Sequence, residues 1–468
     1  MKCKIFSNLP IMKDIKIKIS VAILLLTSCG SKNSCTITPT SANNNAITIN
    51  IDNAINKDCL LFSDYFETPD VIVLETNDKC IIQNIQHVEL FEGNIYILDD
   101  KSRTLCVFNM NGTFLYRIGD IGNGKGEHIE LSDFAIDRKD KKIYLWDEAT
   151  DKANVFDIDT KDYIYSIKTE REGSRSYYIL YHNNKLYTNH TLLNNDDETH
   201  LLREIDCETG KQIATYLNCE EYNKGWNFPL RMANSCFYSQ NTTSPKYVDI
   251  FGDTILSILP DRLIPAYVVE SKDFVSTNDI EEIKKDMRDT GMPDLTGLYE
   301  QEKVFMVHNI MEMDSMLYFQ YKKGMDKHYM LYDITKKIGH KSNIMSNDYI
   351  CKKCYIPTDV RYSGEEGVLA VMAIEHIPHF IEHIITPGLL NPEIDDYKKL
   401  INLNSMSNPV LFLHKQKYIE ENVYRVTYSN EDGSKVVSLL INYSQVTYFD
   451  HASGISVKAN DFIVLGGK

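Results

Sequence analysis

Residues 95–112, IYILDDKSRTLCVFNMNG, and residues 143–160, IYLWDEATDKANVFDIDT, carry one pattern written twice. Superposed, they pair Tyr96 with Tyr144, Asp99 with Asp147, Val107 with Val155, Phe108 with Phe156 and Asn111 with Asp159. Apolar and polar residues alternate within each copy, the period of a strand with one buried face. Turn residues such as Asn111-Gly112 separate the alternating runs. Both copies continue into a further alternating stretch, FLYRIG in the first and DYIYSI in the second. Several short strands recurring every 40–50 residues or so mark the blades of a propeller.

Counting outward from this pair gives six units. The first spans about 84–119 and the second 131–168. The third combines YYILYHNNKLYTNHTLL with HLLREIDCETGKQIATYL, and the fourth holds CFYSQ, YVDIFGDTILSIL and IPAYVVE. The fifth runs from VFMVHNIMEMDSMLYFQYKK to HYMLYDITKK, and the sixth joins DVRYSGEEGVLAVMAI to NPVLFLHK. The expected fold is all-β, a six-bladed β-propeller over 47–418 with short helical insertions. An open ring would leave unpaired backbone at its edge, so a terminal segment must complete the last blade. AITINID (46–52) and VIVLET (71–76) are both candidates. STNDIEEIKKDMRDTG (276–291) opens on a capping Ser or Thr and has helical spacing. Residues 375–401 form a second, Pro-broken helical insertion. Residues 419–468 read as a C-terminal β extension beyond the ring.

The segment from Tyr116 to Asp159, with its Gly-rich link, FAID strand and IYLWD strand, resembles an NHL-type propeller repeat. More broadly, the chain is similar to a family of six-bladed β-propeller lipoproteins of bacterial envelopes. VIVLET, IYILDD, VDIFGDTILSI (248–258) with Pro265 and Tyr267, and NPVLFL (408–413) carry the likeness, which covers 47–414. These motifs are structural, so the resemblance implies a fold and no catalytic residue.

The N-terminus supplies a cellular address. Lys13, Lys16 and Lys18 precede a short apolar run from Ile19 to Leu26, too short for a span of about 20 residues but laid out as a secretory signal. It ends in Leu26-Thr27-Ser28-Cys29, similar to the lipobox of bacterial lipoproteins, which makes residues 1–28 a signal peptide and Cys29 the lipid attachment point. Met12 offers a more compact start. Residues 29–46, rich in Ser, Thr and Asn, read as a flexible tether. Gly30, Ser31, Lys32 and Asn33 lack the acidic run that accompanies surface export in some Gram-negative bacteria. The expected location is therefore the cell envelope at the outer membrane, with the facing side open.

Composition narrows the partner. The formal charge is −16, and removing residues 1–28, which hold five Lys and one Asp, takes it to −20. Such a chain is repelled by nucleic acid and by anionic lipid surfaces, which leaves the N-terminal lipid as the membrane contact.

Four motifs have the outline of chemistry. GDIGNGKG, Gly119 to Gly126, approaches a P-loop, but Gly126 stands where a magnesium-binding hydroxyl is needed and a strand follows. HFIEH (379–383) has the spacing of an inverted zinc-protease motif, with His376 nearby, yet it lies in an insertion with Pro378 at its start; a solvated amphipathic segment is the expectation. CKKC, Cys351 to Cys354, reads as a loop rather than a helix opening, so either a local disulfide or a pair of structural thiols fits. The innermost strands would offer His87, Glu89, Asp133, His182, His308 and Glu312 to an axial channel. Any wet channel collects some polar residues, so these six mark a place to look. No catalytic, cofactor-binding or metal residue is assigned. The expected role is a non-catalytic binding or interaction module for a glycan, peptide or protein. The alternative is a lyase, lactonase or hydrolase acting in the channel.

Overall fold

The computed structural model describes residues 46–417 apart from 170–173, 193–199, 241–242, 314 and 395–396, together with strand backbone at 424–429, 436–441, 446–450 and 455–459. Cys29, the expected lipid site, lies outside the described residues. Six four-stranded antiparallel units follow one another along the chain, their strands stepping outward in sequence order except that the outermost strand of the sixth comes from early in the chain. The innermost strands are Ile85–Phe91, Leu131–Asp137, Ile179–His182, Phe237–Gln240, Val304–Met313 and Asp359–Gly364. Each contacts the next, and the sixth contacts the first, so together they surround one axis. The chain is a six-bladed β-propeller, as its repeat implied.

The repeated motif has a mechanical reason. Asp99, fully buried, accepts the amide of Asn84 at 2.9 Å and the hydroxyl of Ser102 at 2.7 Å. Asp147, its counterpart, accepts the amides of Glu130 at 3.0 Å and Ile129 at 3.1 Å and the hydroxyl of Thr150 at 2.8 Å. Each aspartate thus ties the turn after its own strand to the segment that enters the blade. Buried turn amides need such partners, and a short acceptor chain supplies them. Tyr96, Val107 and Phe108 recur as Tyr144, Val155 and Phe156 because their side chains fill the slabs between blades, where all six are buried. Six apolar clusters lie at the six junctions between neighbouring blades.

The ring closes with VIVLET. Blade six takes Asp359–Gly364, Gly367–Met372 and Val410–His414 from late in the chain and Asp70–Val73 from its start, with Phe412 opposite Val71 and Leu411 opposite Ile72. AITINID has a different place: Ile47–Asn50 lies parallel to Leu263–Glu270 on the outer edge of blade four. Ile55–Asn56 does the same beside Ile338–Ser342 of blade five. One N-terminal stretch therefore covers three outer edges that would otherwise present unpaired backbone. Where the closing strand passes blade one, Gly112 sits at φ +82° and an added Cβ would lie 2.2 Å from the Val73 carbonyl oxygen. No side chain fits there.

Both helical insertions are present. Thr277–Thr290 is a helix with a capping box between Ser276 and Asp279, ended by Gly291 in the left-handed conformation. Ile374–His376, Ile377–Phe380 and Ile381–Ile385 make successive 3₁₀, α and π turns inside blade six. At the C-terminus, Tyr424–Ser429, Val436–Ile441, Val446–Asp450 and Ile455–Ala459 form an antiparallel sheet whose strands pair with one another.

Candidate functional site

The axis opens into a cavity of about 210 Å³, lined by the innermost strands of blades one, four, five and six. Met232, Ala233, Asn234 and Ser235, from the link between blades three and four, also line it. That link is held across the axis. Gln86 of blade one donates to the Asn234 carbonyl, Arg231 donates to the Ser132 carbonyl of blade two at 3.4 Å, and Tyr178 of blade three donates to the Ala233 carbonyl at 2.5 Å.

One wall comes from blades one and two. The His87 ring donates from Nδ1 to Asp133 at 2.7 Å, and its Nε2 lies 3.5 Å from Glu89. Asp133 is fully buried and also accepts the amides of Phe134 at 2.9 Å and Ile179 at 3.0 Å. It therefore joins three blades through one carboxylate. Glu89 in turn takes Arg138 at 2.6 Å, and Arg138 reaches the Leu90 carbonyl at 2.9 Å. Burial pushes the His87 imidazole toward its neutral form, but the adjoining Asp133 and Glu89 outweigh it and raise the pKa to about 10. His87 is an imidazolium with both ring protons committed.

The facing wall comes from blades five and six. The Asp359 carboxylate binds Lys327 at 2.7 Å and the Tyr329 hydroxyl at 3.1 Å, and Arg361 approaches it at 3.8 Å. Burial works to raise the Asp359 pKa, yet Arg361 and Lys327 together hold it below the usual value. The Arg361 guanidinium also meets the Asn234 side-chain oxygen. His308 occupies a strand bulged on either side of it, with Met306 and Asn309 at φ +53°. Its Nδ1 donates to the Met306 carbonyl at 2.8 Å. Burial, reinforced by Lys327 and Arg361, lowers its pKa to about 4.

The six channel candidates therefore separate. His87, Glu89 and His308 line the cavity, and Asp133 stands directly behind His87. His182 lies at the far end of its strand, half-buried, with Nε2 2.9 Å from the Asn183 side chain. Glu312 points between blades four and five, where it binds Lys246 at 2.9 Å and the Tyr267 hydroxyl at 2.6 Å. Sequence reasoning missed Lys327, Asp359 and Arg361. The alternation in DVRYS, once placed as an innermost strand, contains the signal for Asp359 and Arg361. Asn234 and Lys327 reach the axis from a link and from the start of the third strand of blade five, and no pattern in the sequence marks them.

The other motifs resolve into structure. In GDIGNGKG the Gly124 amide donates to the Glu127 carboxylate at 2.6 Å, and a Cβ on Gly122 would meet that same carboxylate at 2.1 Å. The loop wraps a side chain of its own in the position a phosphate would need. In HFIEH the His379 and His383 rings lie 4.2 Å apart, tilted against each other, on the exposed side, while Ile377, Phe380 and Ile384 are buried in the cluster between blades five and six. Cys351 and Cys354 are free thiols, and burial together with the neighbouring Cys351 raises the Cys354 pKa. An activated thiol needs the opposite shift.

The fold and site define a six-bladed β-propeller with a polar, charge-lined pocket on its axis. The chain belongs to the family described as a domain of unknown function, DUF4934, which matches residues 46–415. No match was found among curated proteins. Among solved structures, the chain is similar to a candidate exported protein from Bacteroides fragilis, with a TM-score of 0.64 at 18% identity over 80% of this chain and 100% of that one. A DUF4221 family member from Bacteroides vulgatus covers 75% of this chain and 97% of its own at 11% identity, with a TM-score of 0.44. At 18% identity the first of these likenesses speaks to the fold alone.

Proposed function

We propose that this protein is a lipid-anchored binding module of the bacterial envelope that holds a ligand at its axial pocket and does not transform it. The observation that carries this reading is the pair of pocket histidines. A general acid or base works best with a pKa near the operating pH. His87, at about 10, keeps its proton, and His308, at about 4, does not take one. An imidazolium whose two nitrogens both face carboxylates has no lone pair for a metal either. The pocket is equipped to hold charge rather than to move protons. The address rests on Leu26-Thr27-Ser28-Cys29 and is supported by likeness to a candidate exported protein.

A thermal-shift screen of the full chain against oligosaccharides, peptides and divalent metals tests the module, because a ligand selective for the native state raises the midpoint. A rise with sugar or peptide alone is expected. A rise with metal that chelator abolishes would transfer the assignment to a channel enzyme. Labelling with radioactive palmitate tests the anchor, and Cys29→Ala is expected to lose both the label and the membrane fraction.

A further inference from the structure

We infer that the axial pocket takes a small hydroxycarboxylate, a hexuronate-sized sugar acid with one negative charge. The inference rests on the binding-module reading and specifies its ligand.

Charge supplies the first argument. Around the pocket His87, Arg138, Lys327 and Arg361 stand against Glu89, Asp133 and Asp359, which leaves one positive charge on the axis of a chain whose formal charge is −16. The surplus is local. On the His87 wall every charge has a close opposite partner, at 2.6 Å for Arg138 and 2.7 Å for His87. On the facing wall Asp359 is committed to Lys327 at 2.7 Å, and Arg361 stands off at 3.8 Å. Arg361 is the cation without a short carboxylate contact: its guanidinium meets only the neutral Asn234 amide oxygen, which a ligand carboxylate would displace, and its planar fork matches a carboxylate in two parallel hydrogen bonds.

The neutral groups supply the second. Gln86 spends its amide nitrogen on the Asn234 carbonyl, Gln320 on the Tyr318 hydroxyl at 2.6 Å, and Asn309 on the Val360 carbonyl at 2.5 Å. Each amide keeps its oxygen and its second N–H, an acceptor beside a donor. A hydroxyl both donates and accepts and so satisfies such a pair, so the pocket asks for hydroxyls and a carboxylate in one molecule. Phe237, Tyr238 and Tyr362 border the same space, and aromatic side chains there suit a sugar's C–H edge.

Size supplies the third. About 210 Å³ falls below the ~300 Å³ at which pockets for drug-sized ligands begin. One sugar ring or one terminal residue fits.

The test measures binding of D-glucuronate and D-galacturonate to the full chain by calorimetry, with D-glucose and D-galactose as neutral matches. At least one uronate is expected to bind at least tenfold more tightly than its neutral match. Arg361→Gln should lose tenfold or more, and Arg361→Lys, which keeps the charge without the fork, should fall between. Circular dichroism of both variants establishes that they fold, and if Arg361→Gln does not, Arg361→Lys carries the comparison. Equal binding of uronate and neutral sugar, or a uronate affinity untouched at Arg361, overturns the charge argument and leaves the module standing. Silence of all four sugars beside a thermal shift with a peptide overturns the sugar-acid assignment alone. Silence of the whole screen overturns both.

Discussion

The two walls of the axial pocket hold the same kind of residue in opposite states. His87, between Asp133 and Glu89, has its pKa raised to about 10, whereas His308, near Lys327 and Arg361, has its pKa lowered to about 4. Burial works in the same direction on both rings, so burial does not distinguish them. The sign of the neighbouring charge does. The His87 wall is closed on itself, cation to carboxylate, and holds blades one, two and three together. The Arg361 wall keeps cationic capacity in reserve. One side of the axis is built for the ring and the other for what enters it.

Breaking the closed wall should therefore have the largest effect on folding. Asp133→Asn removes the charge facing a protonated His87 and weakens the acceptor shared by the Phe134 and Ile179 amides. Removing one partner of a buried pair costs about 3–5 kcal/mol, and the low end applies here because His87 can release its proton. Urea denaturation at pH 7 measures it. A loss below about 1 kcal/mol would show that the wall does not hold the ring.

The closed wall also predicts a pH slope. Its histidine has a folded pKa of about 10 against an ordinary 6.5. Between those values the folded state keeps a proton that the unfolded state has lost, so stability is full below 6.5 and falls as the pH rises toward 10. A shift of that size is worth about 5 kcal/mol at most, and because the His87 side chain is 25% exposed the loss attributable to it is on the order of 3 kcal/mol. Other groups titrate in the same range, so the measurement is the difference between the parent and His87→Gln, which keeps a donor to Asp133. The parent should lose stability faster over that window. Parallel curves would show that His87 is not held as an imidazolium.

How much of this was legible before the structure follows from what each feature depends on. The blades were readable because Tyr96, Asp99, Val107 and Phe108 recur at Tyr144, Asp147, Val155 and Phe156, and strand alternation and turn chemistry are local. The closing strand was narrowed to two segments and no further. AITINID and VIVLET have the same alternation, and only the ring's geometry sends one to blade six and the other to the edge of blade four. Of the site, His87, Glu89, Asp133 and His308 were in view because an innermost strand can be guessed from its place in a blade. Their pairing was not, since 46 residues separate His87 from Asp133. Arg361 was not in view because an arginine on an innermost strand neither ligates a metal nor transfers a proton, and nothing local in the sequence marks it as facing the axis until its strand is placed innermost.

His308 should show the mirror slope, somewhat smaller. With a folded pKa of about 4 against 6.5, it stays neutral while the unfolded chain protonates, so its contribution is present above 6.5 and lost as the pH falls toward 4. A shift of that size is worth about 3 kcal/mol at most; the ring is only half-buried, so about 2 kcal/mol is expected, and His308→Gln should flatten the parent's acid limb by that amount. An unchanged limb would place the ring in a solvated, ordinary state.

Arg361→Gln should have the smallest effect on stability, within about 1 kcal/mol, and this sharpens the contrast most. Asp359 keeps Lys327 at 2.7 Å and Tyr329 at 3.1 Å when the guanidinium is gone, so no buried carboxylate is stranded. The substitution also leaves His308 with one cation fewer nearby, which should raise its pKa from about 4 toward the ordinary range. Proton NMR of the imidazole reads that shift directly. A group whose removal barely moves the denaturation midpoint, but does move a neighbour's titration and the affinity for a carboxylate, is held in place for the ligand and not for the fold. Loss of stability as large as that of Asp133→Asn would show instead that both walls belong to the scaffold, and that the axis of this propeller is a core rather than a site.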